Sequence, residues 1–289
     1  MDKFAIITNT EKDKNYRVTK RIREYLTKKG KSCILPRRLF KNDGQGMFTD
    51  SGDIPEDVDC ILVLGGDGTF LQTARDMMYR DIPLLGINMG TLGFLTSVEL
   101  TEIESSLDAL IQGEYEIEDR IMIQGRVFRN GEMIKESMAL NDIVITRAGF
   151  SRLVELKIFI NDVLMDIYAA DGVIVATPTG STGYNLSAGG PVVLPGTGTM
   201  VISPICPHSL TARSVVVTGK DRIRVQVGKR RKTQLEEALV TYDGEAGVEL
   251  EPYDTVEIVK AGVVTQFVKI HNRSFYEILR NKLGAQKGD

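Results

Sequence analysis

Cysteine is scarce in this 289-residue chain: Cys33, Cys60 and Cys206 are odd in number and widely spaced. That excludes a disulfide framework and argues against a zinc site, so a reduced, cytoplasmic setting is the expectation. No apolar run approaches the roughly 18 to 20 residues needed to cross a bilayer. The segment Met1 to Ile7 enters a strand pattern at once, without the layout of a signal peptide. Neither sign of charge dominates. With 36 Lys and Arg against 39 Asp and Glu the net charge is −3, which gives no reason to expect a nucleic-acid partner. Only two histidines are present, and His208, between Pro207 and Ser209, reads as a structural hydrogen-bonding residue rather than a catalyst. The rest is ordinary for a globular protein, at 42% hydrophobic and 26% charged, and the length favours two domains.

The first third alternates strand and helix patterns. Phe4 to Ile7, Ser32 to Leu35, 57–64 and Pro83 to Ile87 read as strands. Val18, Ile22, Tyr25 and Leu26 mark one helix face, and Phe70, Leu71, Ala74, Met77 and Met78 mark another over 70–80. Lys41 to Ile54 reads as a mobile surface loop. Thr101 with Glu104 has the signature of a capping box, and Gly113 ends that helix. From about residue 120 the helical period disappears. Strand patterns recur around turn signals at Asn130-Gly131 and Asn161-Asp162, with Met133 to Arg147 read as one segment. The fold class expected is an α/β N-terminal domain with a parallel doubly wound sheet, plus an all-β, sandwich-like C-terminal domain. The domains expected are 1–120, with a helix from 271–289 packing back on it, and a β-rich 121–270.

Gly65-Gly66-Asp67-Gly68-Thr69 joins an apolar strand run to a helix pattern. Such a junction brings backbone N–H groups and a helix N-terminus to phosphate oxygens. A carboxylate there repels phosphate, so Asp67 either takes a proton from an attacking hydroxyl or holds a metal ion against the phosphates. Taken alone, the turn is also readable as a tight turn with an exposed Asp. Thr177 to Tyr184 packs five hydroxyls and two glycines into eight residues, chemistry suited to ribose, an adenine edge and phosphate. Asn141-Asp142 sets an amide beside a carboxylate, able to read a purine amino group and a ribose diol together. Lys229 to Lys232 reads as a solvated hairpin tip.

Together these residues closely resemble the NAD kinase family. Gly65 to Thr69 matches its GGDGT motif, and Gly86 to Leu95 the segment that follows. Asn141-Asp142 matches its Asn-Glu/Asp pair, Asp171-Gly172 with Thr177 to Pro191 its longest motif, and Ile202 to Leu210 its last. The resemblance implies phosphorylation of the 2′-hydroxyl of the adenosine ribose of NAD, from ATP or another nucleotide or polyphosphate, with Mg2+. Asp67 is then the general base or orienting group, and Gly68 a backbone contact to the dinucleotide. Asn141 and Asp142 bind the adenosine half, and Thr182, Gly183, Tyr184, Asn185, Leu186 and Ser187 line the site. Asp171 approaches the nicotinamide half, in this family often from a neighbouring subunit, and Arg152 counters the diphosphate. Glu245 stands where Gln is frequent, and Ala212-Arg213-Ser214 where an Asn/Ser-Arg-Pro run is. A homodimer or homotetramer is implied, without nucleic-acid or membrane partners. A lipid or sugar kinase sharing the turn predicts an apolar pocket or an acid-rich loop, which residues 177–187 do not resemble. A non-catalytic dinucleotide sensor has no need of Asp67.

Overall fold

The computed structural model describes residues 1–36, 41–42, 47–90, 93–149, 153–228, 238–270 and 274–284. They form two compact units, Met1–Asp119 with Thr265–Asp289, and Arg120–Val264.

The first unit runs β1 (Lys3–Thr8), α1 (Arg17–Lys28), β2 (Ser32–Ile34), a short antiparallel pair β3 (Lys41–Asn42) and β4 (Met47–Phe48), β5 (Cys60–Gly65), α2 (Asp67–Asp76), β6 (Leu84–Asn88) and α3 (Ile103–Gln112). The strands β2, β1, β5 and β6 lie side by side in that order, all parallel. Apolar runs such as Cys60 to Leu64 are buried on both faces, as a sheet covered by helices demands. Ile22, Leu26, Leu107 and Leu110 of α1 and α3 pack with Phe4, Ile6, Leu62 and Leu64. Phe70 of α2 meets the ring of Phe267 at 4.7 Å. Val268, the next residue, belongs to the α1–α3 side, so alternation puts α2 on the opposite face. The chain leaves β1 toward β2 on one side and then crosses to β5 on the other. The carboxyl ends of β1 and β5 therefore flank the switch point, where open α/β sheets bind ligands.

The second unit is antiparallel. It contains β7 (Glu116–Arg129, from Arg120 onward), β8 (Glu132–Ala139), β9 (Asp142–Arg147), β10 (Val154–Ile160), β11 (Val163–Ala170), β12 (Gly172–Ala176), the helical turn α4 (Tyr184–Ser187), β13 (Thr199–Ile205), β14 (Val215–Thr218), β15 (Ile223–Val227), β16 (Ala238–Tyr242), β17 (Glu245–Leu250) and the start of β18 (Thr255–Lys269). One sheet has the order β14-β13-β12-β9-β16-β17, and in another β11, β10, β15 and β18 pair in sequence. Alternate residues of both, among them Ile143, Ile145, Val173, Val175, Leu156, Ile158, Val225 and Val256, share one core. The opposite face of the first sheet, with Val144, Ile174 and Val201, is covered by Ala188 and Val193 of the segment after α4. Hairpins turn at Asn130-Gly131, Asn161-Asp162 and Asp243-Gly244, each pair with positive φ.

Several local expectations shift. The helix read over 70–80 begins at Asp67 and ends at Asp76. Within Lys41 to Ile54 lie β3, β4 and a 3-10 turn at Ser51–Asp53. The capping box belongs to Glu99 and Glu102, not Thr101 and Glu104. The chain enters α3 through a 3-10 turn at Leu100–Glu102, which leaves Thr101 inside the turn instead of before it. Arg21 takes Glu104 instead. The run Met133 to Arg147 is two strands, broken at Leu140 and Asn141 for a reason that lies in the site.

Candidate active site

In the first unit the helix α2 starts at the Gly-rich turn, with Gly66 as its N-cap and no side chain capping it. The first internal bond runs from Phe70 N–H to Gly66 O at 3.1 Å, so the N–H groups before it lack acceptors within the helix. Asp67 occupies the first helical position, where the helix end favours negative charge. Its Oδ2 accepts the N–H of Phe94 at 2.9 Å, and Oδ1 accepts the N–H of Leu95 at 3.1 Å and the hydroxyl of Thr96 at 3.4 Å. A carboxylate has about four acceptor positions, so Oδ2 keeps one for a further proton donor. Gly93 makes this possible, because a β-carbon there would overlap the Asp67 carboxylate. Gly68 is exposed, with open space where a side chain would be. Residues 91 and 92 of the Gly86-to-Leu95 motif lie outside the described residues.

In the second unit the Asn141-Asp142 turn is held by a residue that sequence reasoning passed over. The Asp243 carboxylate accepts the N–H groups of Leu140, Asn141 and Asp142 at 2.9, 2.7 and 3.1 Å. Those three groups cannot also serve a strand ladder, which is why the run breaks there. Thr177 N–H donates to Asn141 O at 2.8 Å, and Gly180 lies so close that a β-carbon would overlap that carbonyl. The Asn141 Nδ2 stands 3.7 Å from the β-carbon position of Gly183, while its Oδ1 is buried without a partner. Asp142 is buried, and that burial, then the charge of Asp243, raises its pKa to about 7. The dipeptide Asp243-Gly244 carried the available signal for this clamp, a hairpin turn with an acidic first residue.

The hydroxyl-rich loop is built the same way. Asn185 is fully buried, donates to Ser181 O and Pro191 O at 3.1 and 3.0 Å, and accepts the Ser203 hydroxyl at 2.7 Å. Tyr184 and Ser187 are exposed, and Thr182, Gly183 and Leu186 half-buried. Glu245, exposed, follows the turn that contains Asp243. Register pairs Ala176 with Asp142 and Tyr242 with Ile143, so Asn141, Asp142, the 177–187 loop and Glu245 gather at one end of the sheet. Asp171 is at the other end of β12, about 20 Å away at the usual strand rise. There Arg147 Nε donates to it at 2.7 Å. Arg152 and Lys229 to Lys232 lie outside the described residues. His208 is exposed, its N–H bonded to Ala169 O at 2.8 Å.

Residues 4–115 match the ATP-NAD kinase N-terminal domain, and residues 140–270 the ATP-NAD kinase C-terminal domain. A parallel unit with a Gly-rich turn, followed by an antiparallel unit with a hydroxyl-rich loop, is thus the frame of a nucleotide-dependent phosphotransferase. The chain belongs to the NAD kinase family. It is similar to the NAD kinase of Lachnoclostridium phytofermentans, 46% identical over 98% of this chain and 99% of that one. It is 40% identical to the NAD kinase of Caldanaerobacter subterraneus subsp. tengcongensis, over 98% and 99%. Among solved structures it is similar to an NAD kinase from Archaeoglobus fulgidus in complex with ATP (26% identical, TM-score 0.76, 98% of both chains). Its fold is also that of yeast NADH kinase complexed with NADH (22% identical, TM-score 0.86, 100% of this chain and 89% of that one). The enzyme phosphorylates NAD to NADP with ATP, and the lipid- and sugar-kinase readings of the Gly-rich turn fall away.

The buried Asp142 makes stability depend on pH in a defined direction. Below about pH 4 folded and unfolded chains both hold its proton. As pH rises toward 7 the unfolded chain releases the proton and the folded chain retains it, so this contribution to stability is lost up to about pH 7. Asp142→Asn is therefore expected to be more stable than the native protein at pH 8, with the difference vanishing toward pH 4. Urea denaturation across that range measures it, and parallel curves at all pH values would refute the assignment.

Proposed function

We propose that Asp67 activates the 2′-hydroxyl of the adenosine ribose of NAD, and that Asn141 and Asp142 hold the adenosine half. The observation carrying this reading is the buried, unpartnered Oδ1 of Asn141. An unmet buried acceptor costs roughly 1 to 3 kcal/mol, a cost relieved when a ligand supplies the donor. A purine amino group or ribose hydroxyl is such a donor. Asp142, poised near neutrality, can accept from or donate to the ribose diol.

In the transfer step Oδ2 of Asp67 takes the proton of the 2′-hydroxyl as that oxygen bonds to the γ-phosphorus of ATP. The bond from this phosphorus to the β,γ-bridging oxygen breaks, and ADP leaves with the electron pair. Gly68 offers an uncovered backbone to the dinucleotide. Thr182, Gly183, Tyr184, Leu186, Ser187 and Glu245 line the adenosine side, Asn185 holds their loop from within, and Arg152 counters the diphosphate. Magnesium fits as an ion carried on phosphate oxygens. Among the described residues no group of three or more His, Cys, Asp or Glu could hold a metal, which suits an ion that keeps several waters. The buried Asn88 Oδ1 has no hydrogen-bond partner, and a water held by such an ion would supply a donor to it. When bound, the ion screens charge on the phosphates. Among the described residues no helix is long and apolar enough to cross a membrane, and Cys33, Cys60 and Cys206 are free thiols, in keeping with a cytoplasmic enzyme.

We assign Asp171 to the nicotinamide half of a neighbouring subunit's site, since its own chain sets it at the far end of β12 from the adenosine residues. The active form is then a homodimer or homotetramer, and activity falls on dilution below the association constant. Sedimentation of a fully active monomer would remove that assignment. Asp67→Asn is expected to lower kcat by about 10²-fold or more while NAD binding changes much less. Near-normal turnover would take Asp67 out of the mechanism. Asn141→Ala is expected to weaken NAD binding by about 5- to 150-fold, with ATP affinity changing far less. A shift in melting temperature with an unchanged KM for NAD would make Asn141 a turn residue only.

A further inference from the structure

Lys12 lies in the turn that leaves β1, and the first unit folds that turn tightly against the Gly-rich one. Asn9 N–H bonds Leu64 O at 2.8 Å, tying the end of β1 to the end of β5. The Asn9 side chain accepts the N–H groups of Glu11 and Lys12, both at 3.1 Å. Its Nδ2 donates to the Thr69 hydroxyl, 3.3 Å away on the first turn of α2. The loop is thus fixed at both ends, and its lysine is aimed. Lys12 Nζ stands 3.2 Å from the β-carbon position of Gly66 and 3.7 Å from that of Gly90. It therefore hangs over the glycine turns ending β5 and β6, at the switch point of the sheet. Among the described residues it forms no ion pair. Beside it Asn88, only 5% exposed, donates to Gly90 O at 2.8 Å and leaves its Oδ1 without a partner. An ammonium group without a counter-ion and helix N–H groups without acceptors in the helix thus lie at the glycine turns that end β5 and β6.

We infer that Lys12 is a catalytic residue that contacts the phosphates of ATP and neutralises charge on the β,γ-bridging oxygen as the γ-phosphoryl group departs. This rests on the reading that the Gly65-to-Thr69 turn faces those phosphates. As the phosphorus–oxygen bond breaks, its electron pair stays on ADP, and the ammonium group of Lys12 faces that growing charge. A side chain at Gly66 would crowd the Lys12 ammonium group, 3.2 Å from where its β-carbon would sit. The contact is to the donor, so NAD affinity is independent of it.

Lys12→Met, Lys12→Arg and the control Lys14→Met test the assignment. In the presence of magnesium, Lys12→Met is expected to lower kcat/KM for ATP by about 10²-fold. It also weakens binding of ATP and of inorganic tripolyphosphate, with the NAD dissociation constant and melting temperature unchanged. Lys12→Arg recovers most of the loss, and Lys14→Met behaves as the native enzyme. Native kcat/KM and ATP affinity in Lys12→Met would overturn the inference, as would an equal loss of NAD affinity or failure of arginine to rescue. Asp67→Asn separates the two readings, because it slows turnover with ATP affinity intact. If it does so while Lys12→Met is normal, only the Lys12 assignment falls. If Asp67→Asn is fully active, the reading of the turn falls.

Discussion

A carboxylate accepting peptide N–H groups that no strand ladder uses is the interaction on which both functional turns depend. Asp67 takes the N–H groups of Phe94 and Leu95 in the first unit, and Asp243 takes those of Leu140, Asn141 and Asp142 in the second. Backbone donors outside a ladder have no strand partner, and leaving them buried and unmet is costly. An ionised acceptor meets two or three at once, with bonds roughly twice as strong as neutral ones. Side chains following such a clamp are held in place before any ligand arrives, which is what catalysis by orientation requires.

The clamps also explain where the enzyme tolerates poor energetics. Asn141 Oδ1 and Asn88 Oδ1 are buried without partners, and Asp142 is a carboxyl group kept from ionising freely. These groups oppose folding. They persist because extensive apolar cores surround them, with Ile143 and Ile145 fully buried on one side of the first turn and Leu85 and Ile87 beside the second. Stability lost at these groups is supplied by the apolar residues of the same strands, β9 and β6.

How far all this was legible in the sequence depended on how local the cause was. Buried strands such as Cys60 to Leu64 were readable because their apolar residues are contiguous, and the hairpins because their turns need positive φ at adjacent residues. The Gly-rich turn declared itself within five residues. Thr101 misled because its spacing to Glu104 fits a cap, whereas Glu99 with Glu102 fits as well and only the 3-10 entry to α3 decides between them. The break at Leu140 and Asn141 was invisible because its cause, Asp243, lies about a hundred positions further on. Lys12 had no signature of its own, since its position depends on Asn9 reaching Thr69 across the sheet.

The hydroxyl-rich loop between Thr177 and Val193 is itself part of the interior. Ala188 and Val193 cover the apolar face of a sheet, and Asn185 is sealed beneath them in three hydrogen bonds. Swinging that segment aside exposes Val144, Ile174 and Val201 to water and breaks those bonds together. Such a segment does not act as a gate. On the proposed assignment of the adenosine half to this unit, product leaves without that segment opening, and changes in contact strength at the loop appear as changes in the dissociation rate.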